Sequence, residues 1–127
     1  MIIIDATNLI LGRLASFAAK QLLAGETVRV INCEKAVISG RKENVFEEYL
    51  HRMERGAIRK GPFLIRMPDK IVRRTIRGML PWKKAKGKEL FRKVYCYVGV
   101  PEELKDKKAV TVESANVSKL PTLRYVD

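Results

Sequence analysis

The chain opens Met1-Ile2-Ile3-Ile4 and turns through Asp5-Ala6-Thr7-Asn8. It then runs Leu9-Ile10-Leu11-Gly12-Arg13-Leu14-Ala15-Ser16-Phe17-Ala18-Ala19-Lys20-Gln21-Leu22 toward Gly25, and resumes with Thr27-Val28-Arg29-Val30-Ile31. The first four residues are a short apolar, β-prone run. Leu11, Leu14, Ala15, Ala18 and Leu22 recur at helical spacing, and Gly25 supplies a C-terminal stop. Thr27–Ile31 is a second β-prone run. Strand, helix, strand predicts a βαβ unit, whose strands lie parallel because the helix returns the chain to its starting end.

The rest of the chain extends this pattern. Asn32 to Lys35 turns the chain, and Ala36-Val37-Ile38 is a short strand stopped by Ser39-Gly40. A helix from about Arg41 to Met53 carries an apolar stripe of Val45, Phe46, Tyr49, Leu50 and Met53. Residues 54–67 lack a period and are punctuated by Gly56, Gly61 and Pro62, which predicts an extended basic loop. Asp69 begins a helix with Ile71, Val72, Thr75, Ile76 and Met79 on one face and Lys70, Arg73, Arg74 and Arg77 on the other. Pro81 ends it, and Trp82 to Lys88 reads as a second basic loop. A short helix near Glu89–Lys93 leads to a strand at Val94–Val98. Pro101–Lys108 is polar, and Ala109–Val112 is a further strand candidate. No repeat or linker divides residues 1–127, so a single domain is expected.

Composition narrows the function. The chain has 127 residues, of which 46% are apolar, enough for a core and too many for intrinsic disorder. No apolar run approaches the ~20 residues needed to cross a bilayer, and the N-terminus lacks a basic region before its apolar run. Cys33 and Cys96 are too few for a disulfide framework and lack metal-ligand spacing; they read as small buried residues beside strands. An intracellular protein is expected. The net charge is +12, from 26 Lys and Arg against 14 Asp and Glu. Residues 1–51 hold six bases and six acids, and residues 94–127 hold five of each. Residues 52–93 hold fifteen bases and three acids, Glu54, Asp69 and Glu89. The whole excess therefore lies in the middle third, and an excess of this kind calls for a polyanionic partner.

Enzymatic readings find little support. Gly12 stands alone, outside any phosphate-binding glycine pattern, and reads as a point where helix and strand pack closely. His51 is the only histidine and lies on a helix between Leu50 and Arg52. Glu47 and Glu48 are adjacent, as are Glu102 and Glu103, and neighbours on a helix point about 100° apart, so neither pair converges. No catalytic residue, metal cluster, cofactor or small-molecule substrate is expected. An enzyme acting on a nucleotide or phosphorylated substrate remains the second reading, and a DNA-binding regulator the third. Zinc-finger spacing, heptads and RNP-type aromatics are absent. A membrane-surface helix would need larger apolar residues opposite its bases.

The remaining chemistry is cationic. Arg offers phosphate a planar fork and Lys a mobile point charge. Arg73, Arg74 and Arg77 fall within about one helical turn. Arg59, Lys60 and Arg66 bracket Gly61-Pro62, and Lys83, Lys84, Lys86 and Lys88 crowd the stretch after Pro81. A solvated helix face mixes signs, whereas acids are nearly missing here. Trp82 has two readings: a platform for a base, or a cover for the core edge. Basic loops on a fixed fold suit a structured RNA read by shape and backbone.

Four stretches then resemble the L-thirteen family of large-subunit ribosomal proteins, in its archaeal form, along almost the full chain. They are Asp5-Ala6-Thr7-Asn8 to Leu11-Gly12-Arg13-Leu14-Ala15-Ser16; Val30-Ile31-Asn32-Cys33-Glu34-Lys35 with Ile38-Ser39-Gly40; Arg59-Lys60-Gly61-Pro62 to Arg66-Met67-Pro68; and Arg77-Gly78-Met79-Leu80-Pro81, Gly87-Lys88 and Val94-Tyr95-Cys96-Tyr97-Val98-Gly99. Asn8 replaces a frequent glycine, and its tolerance of positive φ makes that a mild change. Cys96 stands where the family usually has a small aliphatic residue. The tail after Gly99 matches loosely. The resemblance implies a three-layer α/β/α domain around a mostly parallel sheet of about four strands. It also implies a non-catalytic role in the cytoplasm: binding large-subunit ribosomal RNA early in assembly, beside neighbouring ribosomal proteins. The expected RNA contacts are Arg52, Arg55, Arg59, Lys60, Arg66, Lys70, Arg73, Arg74, Arg77, Trp82, Lys83, Lys84, Lys86 and Lys88. Arg41 and Lys42, near a helix N-terminus that favours anions, are secondary contacts.

Overall fold

The computed structural model describes residues 1–117 and the backbone of Tyr125–Val126. In chain order the elements are β1 (Ile2–Asp5), α1 (Leu11–Leu23), β2 (Val28–Ile31), β3 (Ile38–Ser39), α2 (Lys42–Glu54), α3 (Pro68–Gly78), α4 (Ala85–Arg92), β4 (Val94–Cys96) and β5 (Tyr125–Val126). Single 3-10 turns lie at Cys33–Lys35, Glu102–Leu104 and Glu113–Ala115.

The expected βαβ unit is present. β1, β2 and β4 form a parallel sheet in the order β1-β2-β4, with Ile2 beside Val28 and Val28 beside Val94. Central parallel strands are covered on both faces, which is why these segments read as largely apolar, broken by Arg29 in β2 and the exposed Tyr95 in β4. One face presents Ile4, Val28, Val30 and Val94 to a core completed by Leu14, Ala15, Ala18 and Leu22 of α1 and Val72 and Ile76 of α3. The alanines of α1 leave room for α3 to lie close. The opposite face carries Ile3 and Ile31, covered by Leu104, Tyr97 and Ala109. The layer on that side is thus thin, a single helical turn and the strand-like passage behind it. Val110 makes an isolated parallel bridge to Ile4, in the place of the fourth strand expected at Ala109–Val112.

Two asparagines close the turns at the sheet's C-terminal end. Asn8 and Asn32 adopt φ of 57° and 54°, the left-handed region that Asn tolerates. Asp5 joins them: its Oδ1 accepts hydrogen bonds from the Thr7 hydroxyl at 2.7 Å, the Thr7 amide at 3.0 Å and the Asn32 side-chain amide at 3.1 Å. Gly25, with φ 99°, takes the residue position just past the end of α1 and donates to Leu22 O, so the expected stop holds.

Several expectations need correction. The strand expected at Ala36–Ile38 is Ile38–Ser39; it pairs antiparallel with β5, outside the parallel sheet, while Val37 bridges Ile10. The apolar stripe of α2 is real in period but not in burial. No residue of α2 is fully buried, and Phe46 and Leu50 are exposed, because α2 does not lie on the sheet. α3 ends at Gly78, before Pro81, and Met79 is exposed. α4 begins at Ala85, so the second basic loop stops at Lys84. Gly87 lies inside this helix and lets it approach another backbone segment. The β4 strand ends at Cys96 rather than Val98.

Candidate nucleic-acid interface

The site is built on α3. Pro68 occupies its first position, where a missing N–H costs nothing, and Asp69 sits in the first turn, where the helix dipole favours an acid. Val72 and Ile76 lie one turn apart and are buried in the main core. Pinning that stripe turns Lys70, Arg73 and Arg74 outward, and all three are exposed. The charge pattern read along the chain therefore becomes a face of one helix.

The arginines are not left to wander. The Arg73 guanidinium lies 4.4 Å from the Phe91 ring centroid, and that of Arg77 lies 4.6 Å from the Trp82 centroid. The two rings meet edge to face, with centroids 5.0 Å apart and planes at 86°. Arg73, Phe91, Trp82 and Arg77 thus form one continuous stack. Cation–π attraction restricts each guanidinium without removing its outward N–H groups. Trp82 is half-buried, lies beneath Arg77 and rests on Phe91, which itself packs against the main core.

Gly87 explains the spacing from Pro81 to α4. A Cβ at position 87 would collide with the Pro81 carbonyl and the Trp82 amide nitrogen. Only glycine lets the first turns of α4 rest on that backbone, and this contact brings Phe91 to Trp82. Lys83 and Lys84 before α4, and Lys86 and Lys88 within it, are exposed.

Two clefts flank the outer face of α3. The first, of about 230 Å³, has Tyr49 and Arg52 of α2 on one wall and Leu64 and Ile65 from the preceding loop at its base. Lys70, Ile71, Arg74 and Thr75 of α3 form the other wall. The second, of about 280 Å³, continues along Arg73, Arg74 and Arg77 to Phe91, sharing Ile65, Lys70 and Arg74 with the first. Together they make a groove with an apolar bed and cationic sides.

Of the fifteen bases in residues 52–93, only Arg52 makes an ion pair among the described residues, with Glu48 one turn earlier. The Arg52 guanidinium also lies 5.3 Å from the Tyr49 ring centroid. Like charges without counterions raise the local potential and make an arriving anion the stabilising partner.

The structure brings Arg52, Lys70, Arg73, Arg74 and Arg77 together along this groove, with Trp82 at its end. It does not bring the other expected residues into it. Arg55, Arg59, Lys60 and Arg66 are exposed on the 55–67 loop. There Gly56, at φ 81°, lies against Gly61, whose amide donates to Ala57 O at 2.6 Å. Arg41 caps α2 and Lys42 opens it, with Lys42 Nζ 5.5 Å from the Phe46 centroid. His51 is exposed. Tyr49, Ile65 and Phe91 escaped the sequence reading. Phe91 follows Trp82 by nine residues and meets it only because α4 folds back over Pro81. Tyr49 had a faint signal, an Arg three residues later on the same helix.

Cys33 and Cys96 lie beside one another as the parallel register requires: Val30 pairs with Cys96, and the Cys33 thiol reaches Val30 O at 3.7 Å. Their contact, together with burial, pushes the Cys96 thiol far above its ordinary range. Neither cysteine forms a disulfide.

The profile of the family described as ribosomal protein L13 matches residues 1–103. Relatives named large ribosomal subunit protein uL13 align along nearly the whole chain. The Methanosarcina barkeri protein is 48% identical over 128 residues, covering 100% of this chain and 91% of the relative. The Methanococcoides burtonii protein is 48% identical, covering 99% and 91%. The Archaeoglobus fulgidus protein is 47% identical, covering 98% and 80%. Match and coverage agree with the four motifs and with the parallel α/β fold, and the chain belongs to the ribosomal protein L13 family.

Proposed function

We propose that this chain is a structural constituent of the large ribosomal subunit, held there by the outer face of α3 against ribosomal RNA, and that it supports early subunit assembly. The observation that carries the reading is the row Lys70, Arg73, Arg74 and Arg77: four exposed or half-exposed cations on one helix, two of them fixed over aromatic rings. None makes an ion pair among the described residues. Phosphate is the ligand such a row accepts, because each planar guanidinium donates two parallel N–H groups to it. The 55–67 loop, Lys83 to Lys88, and Arg41 with Lys42 extend the contact on either side. Neighbouring large-subunit proteins are the other partners, the cytoplasm is the place of action, and the reading assigns no catalytic step.

The test is equilibrium binding of the full chain to large-subunit ribosomal RNA across a range of potassium chloride. Affinity falling steeply with salt, roughly as the number of phosphates neutralised, is the expected result. Sedimentation in extract should place the protein with the large subunit. Salt-independent binding, or a protein found only free of ribosomes, would overturn the reading.

A further inference from the structure

We infer that the cleft between α2 and α3 is a receptacle for one unpaired nucleobase, turned out of its RNA strand, with the flanking phosphates crossing the Lys70 and Arg74 ridge into the second cleft. This rests on the RNA-binding reading and gives it a specific ligand. The size fits: an engineered apolar cavity of ~150 Å³ holds benzene, and this cleft, at about 230 Å³, has room for a single planar base.

The chemistry fits as well. Tyr49 offers a ring wall, steadied by Arg52 on one side. Ile65 and Ile71 supply an apolar bed. Bases stack on aromatic rings and arginine planes, and single-stranded or bulged nucleotides are where RNA exposes them.

Charge decides between a nucleotide and a peptide side chain as occupant. The lining includes Arg52, Lys70 and Arg74 and no acid, and Glu48, one turn from Arg52 on α2, is engaged with it. The adjoining cleft adds Arg73 and Arg77. An apolar pocket that opens onto a run of cations suits a ligand with a flat apolar head and anions on both sides. A single apolar side chain from a neighbouring protein carries no anion of its own, whereas every nucleotide in a strand is joined to phosphates on both sides.

The experiment compares the full chain with Tyr49→Ala, which removes the ring wall, and Thr75→Trp, which fills the cleft from the opposite side. Both are measured for binding to large-subunit ribosomal RNA at fixed salt, with folding checked by circular dichroism. Because α2 buries no residue fully, Tyr49→Ala retains the fold even if Thr75→Trp does not. The expected result is an affinity loss of about fivefold or more for Tyr49→Ala, with the salt dependence unchanged since no charge is lost. Ultraviolet crosslinking should place a nucleotide adduct on the peptide containing Tyr49. Wild-type affinity in Tyr49→Ala, with no adduct there, would overturn the receptacle and leave the RNA-binding reading intact; it is also the outcome expected of a protein occupant. Loss of salt-dependent binding in the unaltered chain would overturn both.

Discussion

The Arg77 guanidinium lies over the Trp82 ring, 4.6 Å from its centroid, and that ring and Phe91 meet edge to face. The only tryptophan in the chain is thus a scaffold for an arginine, linked to the core through Phe91. Trp82→Phe should keep the platform and change RNA affinity little. Trp82→Ala should lower unfolding free energy by about 2 kcal/mol or more, from lost packing and lost ring contacts. Urea titration followed by circular dichroism separates the two variants.

Arg73, Arg74 and Arg77 differ in their supports but share one face. Converting all three to Gln removes the three proposed phosphate contacts without reversing the local field. The slope of log K against log salt should become shallower by about 2–3. The loss should be similar for RNA fragments of equal shape and different sequence, because phosphate contacts carry no base information. Filter binding at several salt concentrations measures both effects.

Gly87 and Gly78 belong to the same sequence block but should respond oppositely to alanine. At Gly87 a Cβ meets Pro81 backbone, so α4 must shift and carry Phe91 away from Trp82. A loss of about 3 kcal/mol is expected, within the range for severe steric substitutions. At Gly78, the last residue of α3, nothing lies within 4 Å of the added atom. Gly78→Ala should be neutral or stabilising by up to about 1 kcal/mol. Thermal melts of both variants check the contrast.

Asp5 makes stability depend on pH. Burial raises its pKa, but hydrogen bonds from the Thr7 hydroxyl and amide and from Asn32, with the charge of Lys35, outweigh it and hold the carboxyl below its ordinary value of 3.8. A depressed folded-state pKa gives stability that is present above that ordinary value and lost as pH falls through the folded value. Asp5→Ala should cost about 2 kcal/mol at neutral pH, since charged hydrogen bonds are broken. The gap from wild type should close in acid. Denaturant unfolding at pH 7 and below pH 3 checks it.

The amides of Phe63 to Met67 donate no hydrogen bond among the described residues, whereas α1 lies against the core. Hydrogen exchange should be fast across 63–67 and slow across Leu14–Leu22. RNA binding should slow the first set if the loop closes the base of the groove. Uniform protection across both segments in the free protein would contradict the assignment.

Local pattern made much of this molecule legible. The spacing of Leu11, Leu14, Ala15, Ala18 and Leu22 specified the buried face of α1, all of it confirmed. The β1 and β2 strands fell within a residue of expectation because strands covered on both faces are rich in Ile and Val, here with Arg29 as the one break in β2. The same reasoning placed Val72 and Ile76 inward and the arginines outward. It failed at α2, whose stripe has helical period but no sheet to bury it: periodicity reports an amphipathic helix, not the partner that covers it. It failed at Ala85–Lys88, expected as a basic loop but folded as the first turn of α4, where Gly87 answers a close approach from Pro81.

The site divides in the same way. The expectation of a polyanionic partner, its proposed meeting with residues 52–93, and the guanidinium row on α3 all follow from charge and spacing along the chain. These are one-dimensional properties, since net charge sums over residues and a helix face repeats every few positions. Tyr49 facing Lys70, Arg73 over Phe91 and Arg77 over Trp82 do not follow from any spacing. The arginine stacks arise because Gly87 lets α4 rest on the Pro81–Trp82 backbone beside α3, and the cleft arises where α2 and the intervening loop meet α3. Contacts between elements far apart in sequence depend on that packing, so the groove and its arginine stacks belong to the tertiary structure alone.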